Sequence, residues 1–512
     1  MDLQSFQKKR RETPLENQSS NRGQQDRLSD LPDSLIHHIF SFLDSRDVVQ
    51  SSILSNRWKA LWLSTPNLDF DLDYWLKKCR DFPSWSEKFD SFINFVHNVL
   101  IRRGDSRIFK FRLYTYDHDF DDVLPIVSSW MVKALECNVQ HLILRFPLGL
   151  EGGTRWLGLE LPDSLFTSTI KALEIAFCPD PLVPLPNISA ASGIKDLVLS
   201  GVKLPDGNVN GELLLSCSVL ETLTINHCDV RHLKVMTISA PILETLWLRL
   251  STKRKNPLNS WRRTPPPHED KVHVKINTPK ISSLMLSSWS CENLSGVDYS
   301  IEEDLLSLVS ATVYIGTKVV ELMEDCSRGL MKILPRVRNA RRLTLAFSSK
   351  LVLTEFPILA KELPYGFLNV RHIMLIDSIQ TPCLRAISNF LETFPSLETM
   401  VWERPWTLRY NHRQQPITDE AEELVPDLPF QSTFTCLKTA EFRNVKGVEF
   451  ELKFLAFIFE TAICLKKVII KYDTRVSGDK LAELEEKIFS LPRTSSNALV
   501  SLQYMTPDDY TC

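Results

Sequence analysis

The chain has 512 residues, 43% of them hydrophobic and 24% charged, with a formal net charge of -3. That length exceeds what one compact core supports and points to several domains or a repeat array, while the near-neutral charge gives no general pull toward nucleic acid or an anionic membrane. No run reaches the ~18 apolar residues of a membrane helix, and the eleven cysteines include no Cys-x-x-Cys pair, so neither a zinc ribbon nor a dense disulfide scaffold is expected, and the thiols read as reduced in an intracellular protein.

Residues 1–26 are polar and poor in aromatics, and are expected to be a disordered tail. They hold no apolar core of a secretory signal. Lys8-Lys9-Arg10-Arg11 fits either a nuclear import signal or an ordinary solvated cluster, so the expected location is cytoplasmic and/or nuclear.

Residues 27–66 carry three short helical patterns. Leu31-Pro32-Asp33 opens the first with proline in the opening turn, where its missing N–H costs nothing. Leu35, Ile39 and Leu43 follow at i, i+4 and i+8, with Ile36 and Phe40 beside them, which makes a wide apolar stripe. Asp44 and Ser45 interrupt it. Val48, Val49, Ile53 and Leu54 belong to a second helix, and Ser55 can cap a third whose Trp58, Leu61 and Trp62 share a face. Three such helices cannot bury this much apolar surface among themselves. The surplus is either a partner's docking surface or a cap packed on the first repeats of the chain.

Residues 67–138 are expected to link these helices to the remainder and pack on it; LDFDLDYW and FKFRLYTY alternate like strands, and FDSFINFVHNVLI reads as a helix. From 139 onward one pattern returns twelve times: a hydrophobic residue, two variable ones, a hydrophobic, one variable, a hydrophobic. Examples are VQHLIL at 139–144, LETLTI at 220–225, LETLWL at 243–248 and VRHIML at 370–375, with a weaker copy in LVSATVYI at 308–315. Successive copies lie 23 to 40 residues apart, most near the spacing of leucine-rich repeats, about 20–29 residues. One strand per repeat with alternate side chains buried gives a parallel sheet on the inner face of a curved solenoid, expected over 139–427. Residues 253–270 read as a loop and 409–429 as a boundary, and 428–512 as C-terminal repeats in which 448–463 alternates early and then reads as a helix between the last two strand units, a strand–helix–strand ending.

The stretch DRLSDLPDSLIHHIFSFLDSRDVVQSSILSNRWKALW resembles an F-box, through Leu31-Pro32, Ile39 and Leu43, Asp47-Val48-Val49, and Leu54-Ser55-Asn56-Arg57-Trp58 followed by Leu61-Trp62. With irregular repeats behind it, the chain resembles the plant F-box/LRR class, and CLKTAEFRNVKGVEFELKFLAFIFETAICLKKVIIKYD resembles that class's C-terminal FBD segment. The resemblance implies an α/β fold of a three-helix F-box followed by a leucine-rich-repeat solenoid. It implies the role of substrate-recognition subunit in an SCF-type cullin–RING ubiquitin ligase, with a Skp-type adaptor as partner and the target protein on the repeats. Adaptor contact would fall on Leu31, Pro32, Leu35, Ile39, Leu43, Val48, Leu54, Trp58, Leu61 and Trp62. The alternative is an interaction scaffold that works without a ligase.

No catalytic constellation emerges. There is no Gly-x-Ser-x-Gly elbow, Walker A loop or Gly-x-Gly-x-x-Gly, and the chain has only 16 glycines. His268 and His273 are one residue too far apart for a zincin helix, and three prolines precede them. His227, Cys228 and His232 fit a buried thiol flanked by exposed imidazoles better than a metal site. No catalytic residue, metal or cofactor is therefore expected, and no nucleic-acid or membrane partner. On the open face of the solenoid, residues between the buried strand positions would meet a target: Thr224, Asn226, Trp247, Arg249, Arg342 and His372, with His141, Arg145, Thr222, Thr245 and Thr344 around them. Trp247 beside Arg249 suits a binding hot spot, or Trp247 packs beneath the 253–270 loop.

Overall fold

The structure, a computed structural model, describes residues 31–78, 84–115, 124–146, 159–166, 169–177, 183–188, 193–251, 271–290, 297–317, 323–347, 366–377, 384–404, 433–472, 478–495 and 498–506. The tail with Lys8–Arg11, the 253–270 loop with His268, and the 409–429 boundary lie outside these residues. It opens with three short helices, α1 (Asp33–Phe40), α2 (Ser45–Gln50) and α3 (Asn56–Leu61), with 3-10 turns after the second and the third. Each break has a local cause. The Asp44 carboxylate accepts the Arg46 N–H at 2.7 Å to start α2, and the Ser55 hydroxyl accepts the Trp58 N–H at 3.2 Å to start α3.

Behind them runs one long parallel sheet, of seventeen strands among the described residues, two of them two-residue pieces at 183–184 and 202–203. All twelve strand units read from the sequence lie in it, and their middle residues fall on one row. Leu142 pairs with Leu173, Leu173 with Leu197, Leu197 with Leu223, and the row continues through Leu246, Leu284, Ala311, Leu343, Ile373, Met400 and Ala440 to Val468. Each is buried. Because side chains alternate across a strand, this row and the one two residues on point into the core while the residues between face outward.

The sheet also extends beyond the twelve strand units at both ends. Strands Asn67–Asp71 and Lys110–Tyr114 continue it in register, Leu68 on Phe111 and Phe111 on Leu142, so the segment expected as a linker supplies the first strands. At the other end Leu499–Tyr504 pairs with Lys467–Tyr472. Two bulges interrupt the regular ladder beside left-handed residues, His227 (φ 52°) and Asn444 (φ 59°).

The buried face is covered differently along its length. Helices Trp85–Arg103 and Leu124–Glu136 back the first strands, and Met323–Ile333, Leu384–Leu391, Glu449–Thr461 and Gly478–Ser490 back the last ones. Between them a second parallel sheet of four strands replaces the helices: Glu212–Ser216, Val235–Ser239, Val272–Asn277 and Val297–Ile301. Their period-two pattern explains the change, since Leu213 and Leu215, Met236 and Ile238, Val274 and Ile276, and Tyr299 and Ile301 are all buried. Near the C-terminal end, the helix expected within 448–463 runs over Glu449–Thr461 with Val448 at its N-cap, taking in the early alternating residues as well, and its Phe454 meets Trp402 and Phe442 edge-on at 6.2 and 5.4 Å.

Candidate adaptor and target surfaces

The three N-terminal helices have two apolar sides. The inner one carries Ile36, Phe40, Val48, Trp58, Leu61 and Trp62, all buried. Phe40 and Trp58 meet edge-to-face at 5.4 Å, and the buried Arg103 guanidinium donates to the Trp62 carbonyl at 3.1 Å. Val48, Trp58, Leu61 and Trp62, four of the ten side chains expected to touch an adaptor, are thus part of the protein's own core. Their role is to hold the helices on the first strands.

The outer side carries Leu35, Ile39, Leu43 and Leu54 from the expected set, all exposed, with Pro32 also exposed and Leu31 half-buried. Two residues outside that set are the most open: Phe42 at 75% and Ile53 at 86% of full exposure. Their signal was present in the sequence, as apolar residues in the turns after α1 and α2, where the His38 ring meets Phe42 edge-on at 5.0 Å. A patch this apolar on a solvated helix trio marks an interaction surface. Arg57 fixes its near end, donating to the Leu31 carbonyl at 2.6 Å and pairing with Asp33.

The joint between these helices and the sheet is acidic. Ser45 Oγ accepts the Asp69 N–H at 2.8 Å, the second Asp44 oxygen accepts the Asp71 N–H at 3.3 Å, and Tyr74 donates to Asp47. Arg112 bridges Asp69 and Asp71 at 2.6 and 3.0 Å. Burial, with repulsion from Asp69 and Asp47 added, pushes the Asp44 carboxyl up to about 7. A folded-state value raised above the unfolded one, about 3.9, favours the folded joint as protons are taken up. The joint therefore gains stability as pH falls below 7 and loses it as pH rises through 7. Asp44→Asn, which caps a helix as well as aspartate, is expected to remove this dependence. Melting wild type and variant at pH 6 and pH 8 checks it: the wild type falls relative to the variant at pH 8, and parallel shifts would contradict the assignment.

On the outward face of the long sheet, the six residues expected to meet a target separate into two groups. Thr224 pairs with Trp247, and Asn226 with Arg249, on neighbouring strands. Trp247 is 47% exposed. Along the Arg249 row, Tyr314 feels both Glu403 and Arg249, and burial first, then Glu403, raises its phenol. Arg342 and His372 pair with each other several strands away, where the strands begin, and both are exposed.

Cys228 is buried, with its thiol pushed up to about 12 by burial, and the His232 ring bonds the Pro205 carbonyl at 3.1 Å. Among the described residues there is no group of three His, Cys, Asp or Glu arranged to hold a metal, and no helix long and apolar enough to cross a membrane.

Comparison with known proteins agrees with this plan. Residues 28–70 match the F-box domain, and residues 428–470 match the family described as FBD. The chain is 24% identical to F-box/LRR-repeat protein 13 of Arabidopsis thaliana over 489 residues, covering 93% of this chain and 96% of the relative. It is 25% identical to a putative F-box/FBD/LRR-repeat protein of the same plant, covering 93% and 94% of the two chains. It is 27% identical to an FBD-associated F-box protein, covering 87% and 92%. The chain carries an F-box domain and an FBD on either side of a leucine-rich-repeat solenoid, the plan of these F-box/FBD/LRR-repeat proteins.

Proposed function

We propose that the chain is a substrate-recognition subunit of an SCF-type cullin–RING ubiquitin ligase, its F-box docking a Skp-type adaptor and its solenoid holding the protein to be ubiquitinated. The observation that carries this reading is the open apolar patch of Leu35, Ile39, Phe42, Leu43, Ile53 and Leu54 on an F-box whose other side is already packed. A partner helix laid on it would remove these side chains from water, each worth roughly 1.5–3 kcal/mol if fully buried. A stable complex of this kind covers about 800 Å² per partner. In this reading the chain positions the target, and the bond-forming chemistry belongs to other subunits.

The test is co-elution of the full-length chain with a purified Skp-type adaptor and cullin on size exclusion. A single complex supports the receptor reading. A folded chain that elutes apart from the adaptor leaves the ligase-independent scaffold.

A further inference from the structure

The rim of the long sheet where its later strands begin is strongly basic, although the whole chain is slightly acidic at -3. Backbone hydrogen bonds set its side chains one rung apart. The Arg371 N–H donates to the Arg341 carbonyl at 2.9 Å, Glu398 to Arg371 at 2.8 Å, Lys438 to Glu398 at 2.9 Å and Lys466 to Lys438 at 2.8 Å. The next row places Arg342 beside His372 and ends on Lys467. All of these cations are exposed.

Glu398 is the one acidic residue in this row of rungs, and it is engaged. It accepts Arg371 at 2.6 Å and Lys438 at 2.8 Å, and these two hold its carboxyl below the usual range, Lys438 foremost. Its effect is to fix Arg371 and Lys438 in place between two further pairs, Arg341 with Arg342 and Lys466 with Lys467. Among the described residues, none of those four has a carboxylate partner. Like charges held at strand spacing repel one another, and an anion laid across them removes that repulsion.

We infer that this rim, from Arg341 to Lys467, docks an acidic, carboxylate-rich peptide segment; that the segment belongs to the target protein rests on the receptor reading above. The two free pairs stand four strands apart, ~19 Å at the usual strand spacing, the reach of about six extended residues. A nucleic acid fits less well. Its unbroken row of phosphates would meet Glu398 at the centre, whereas a peptide can present a neutral side chain there.

The test uses the full chain and fluorescence anisotropy with a labelled peptide of alternating Glu and Ser, its Gln counterpart, and an oligothymidylate. The Glu peptide is expected to bind at least roughly tenfold more tightly than the Gln peptide, and to weaken with salt. R341E/R342E and K466E/K467E, all at exposed positions, should each lower its affinity by roughly tenfold or more. K234E/K275E makes the same charge change on the four-stranded sheet and should leave affinity within about twofold. The inference is overturned by no binding of the Glu peptide, by equal loss in the K234E/K275E variant, or by tighter binding of the oligothymidylate. Adaptor co-elution of the same preparations reads the receptor role separately, so either idea can fail alone.

Discussion

Leu35→Asp combined with Ile53→Asp is expected to abolish capture of a Skp-type adaptor while leaving the unfolding midpoint where it was. Both side chains are solvent-exposed, at 48% and 86%, so the folded chain loses little packing, and exposed substitutions ordinarily change stability by no more than about 0.5 kcal/mol. In a complex, two carboxylates would be pressed into apolar surface, at a cost of several kcal/mol. Adaptor affinity should fall by at least about a hundredfold, beyond the usual hot-spot loss of about 2 kcal/mol. Trp58→Ala should behave in the opposite way. Its ring packs on Phe40 inside the F-box, and emptying such a site costs about 3–5 kcal/mol. That variant should melt early and lose the adaptor only because the helices come apart. Calorimetry of both variants beside isothermal titration with the adaptor separates the two causes. Unchanged adaptor affinity in the Leu35→Asp/Ile53→Asp chain would remove the patch from the interface.

The second large effect is expected at Glu451, buried at the start of the helix in the FBD. One of its oxygens accepts the N–H groups of Lys446, Gly447 and Val448 at 2.9, 2.8 and 3.1 Å, and the other faces the Arg404 guanidinium at 3.0 Å. The turn it closes needs Gly447, whose φ of 80° is unfavourable for any residue with a Cβ. The carboxylate thus ties the strand Thr399–Glu403, through Arg404, to the strand Thr439–Val445 and the helix after it. Glu451→Ala would leave three part-buried N–H donors and the Arg404 cation without their acceptor, and should cost about 3–5 kcal/mol. Gln keeps an acceptor but not the charge, so Glu451→Gln should lose less. In a repeat array such a loss stays near its origin. Amide exchange should therefore accelerate over 433–506 and not over 31–64, and a uniform acceleration, or none, would contradict the assignment.

Much of this architecture is legible in the sequence because each strand unit announces itself three times. The residue two places ahead of the strand is buried as well as the two inward ones: Leu220 with Leu223 and Ile225, and Leu465 with Val468 and Ile470. The strand at 110–114 follows the same rule, with Ile108, Phe111 and Leu113 all buried, so IFKFRL marked the earlier start of the sheet. The four-stranded sheet was harder to see. Its strands occupy the stretches between the repeating units, where helices are the usual expectation, and only their period-two burial tells them apart.

At the F-box the pattern identified the helices but not which apolar side faced inward. Val48 and Leu54 look alike in sequence, yet Val48 lies under the first strands and Leu54 faces water. That choice is made by contacts far along the chain, such as Ser45 to Asp69 and Arg103 to Trp62. The basic rim was invisible for the same reason. Arg341, Lys438 and Lys466 are far apart in sequence, and only the register of successive strands sets them in one row.

In the receptor reading, an adaptor completes the open side of the F-box. Hydrogen–deuterium exchange of the full-length chain with and without a purified Skp-type adaptor tests it most directly. Protection confined to 31–54, with the solenoid strands unchanged, is the expected result. Protection over the solenoid instead, or no protection anywhere at saturating adaptor, would contradict it.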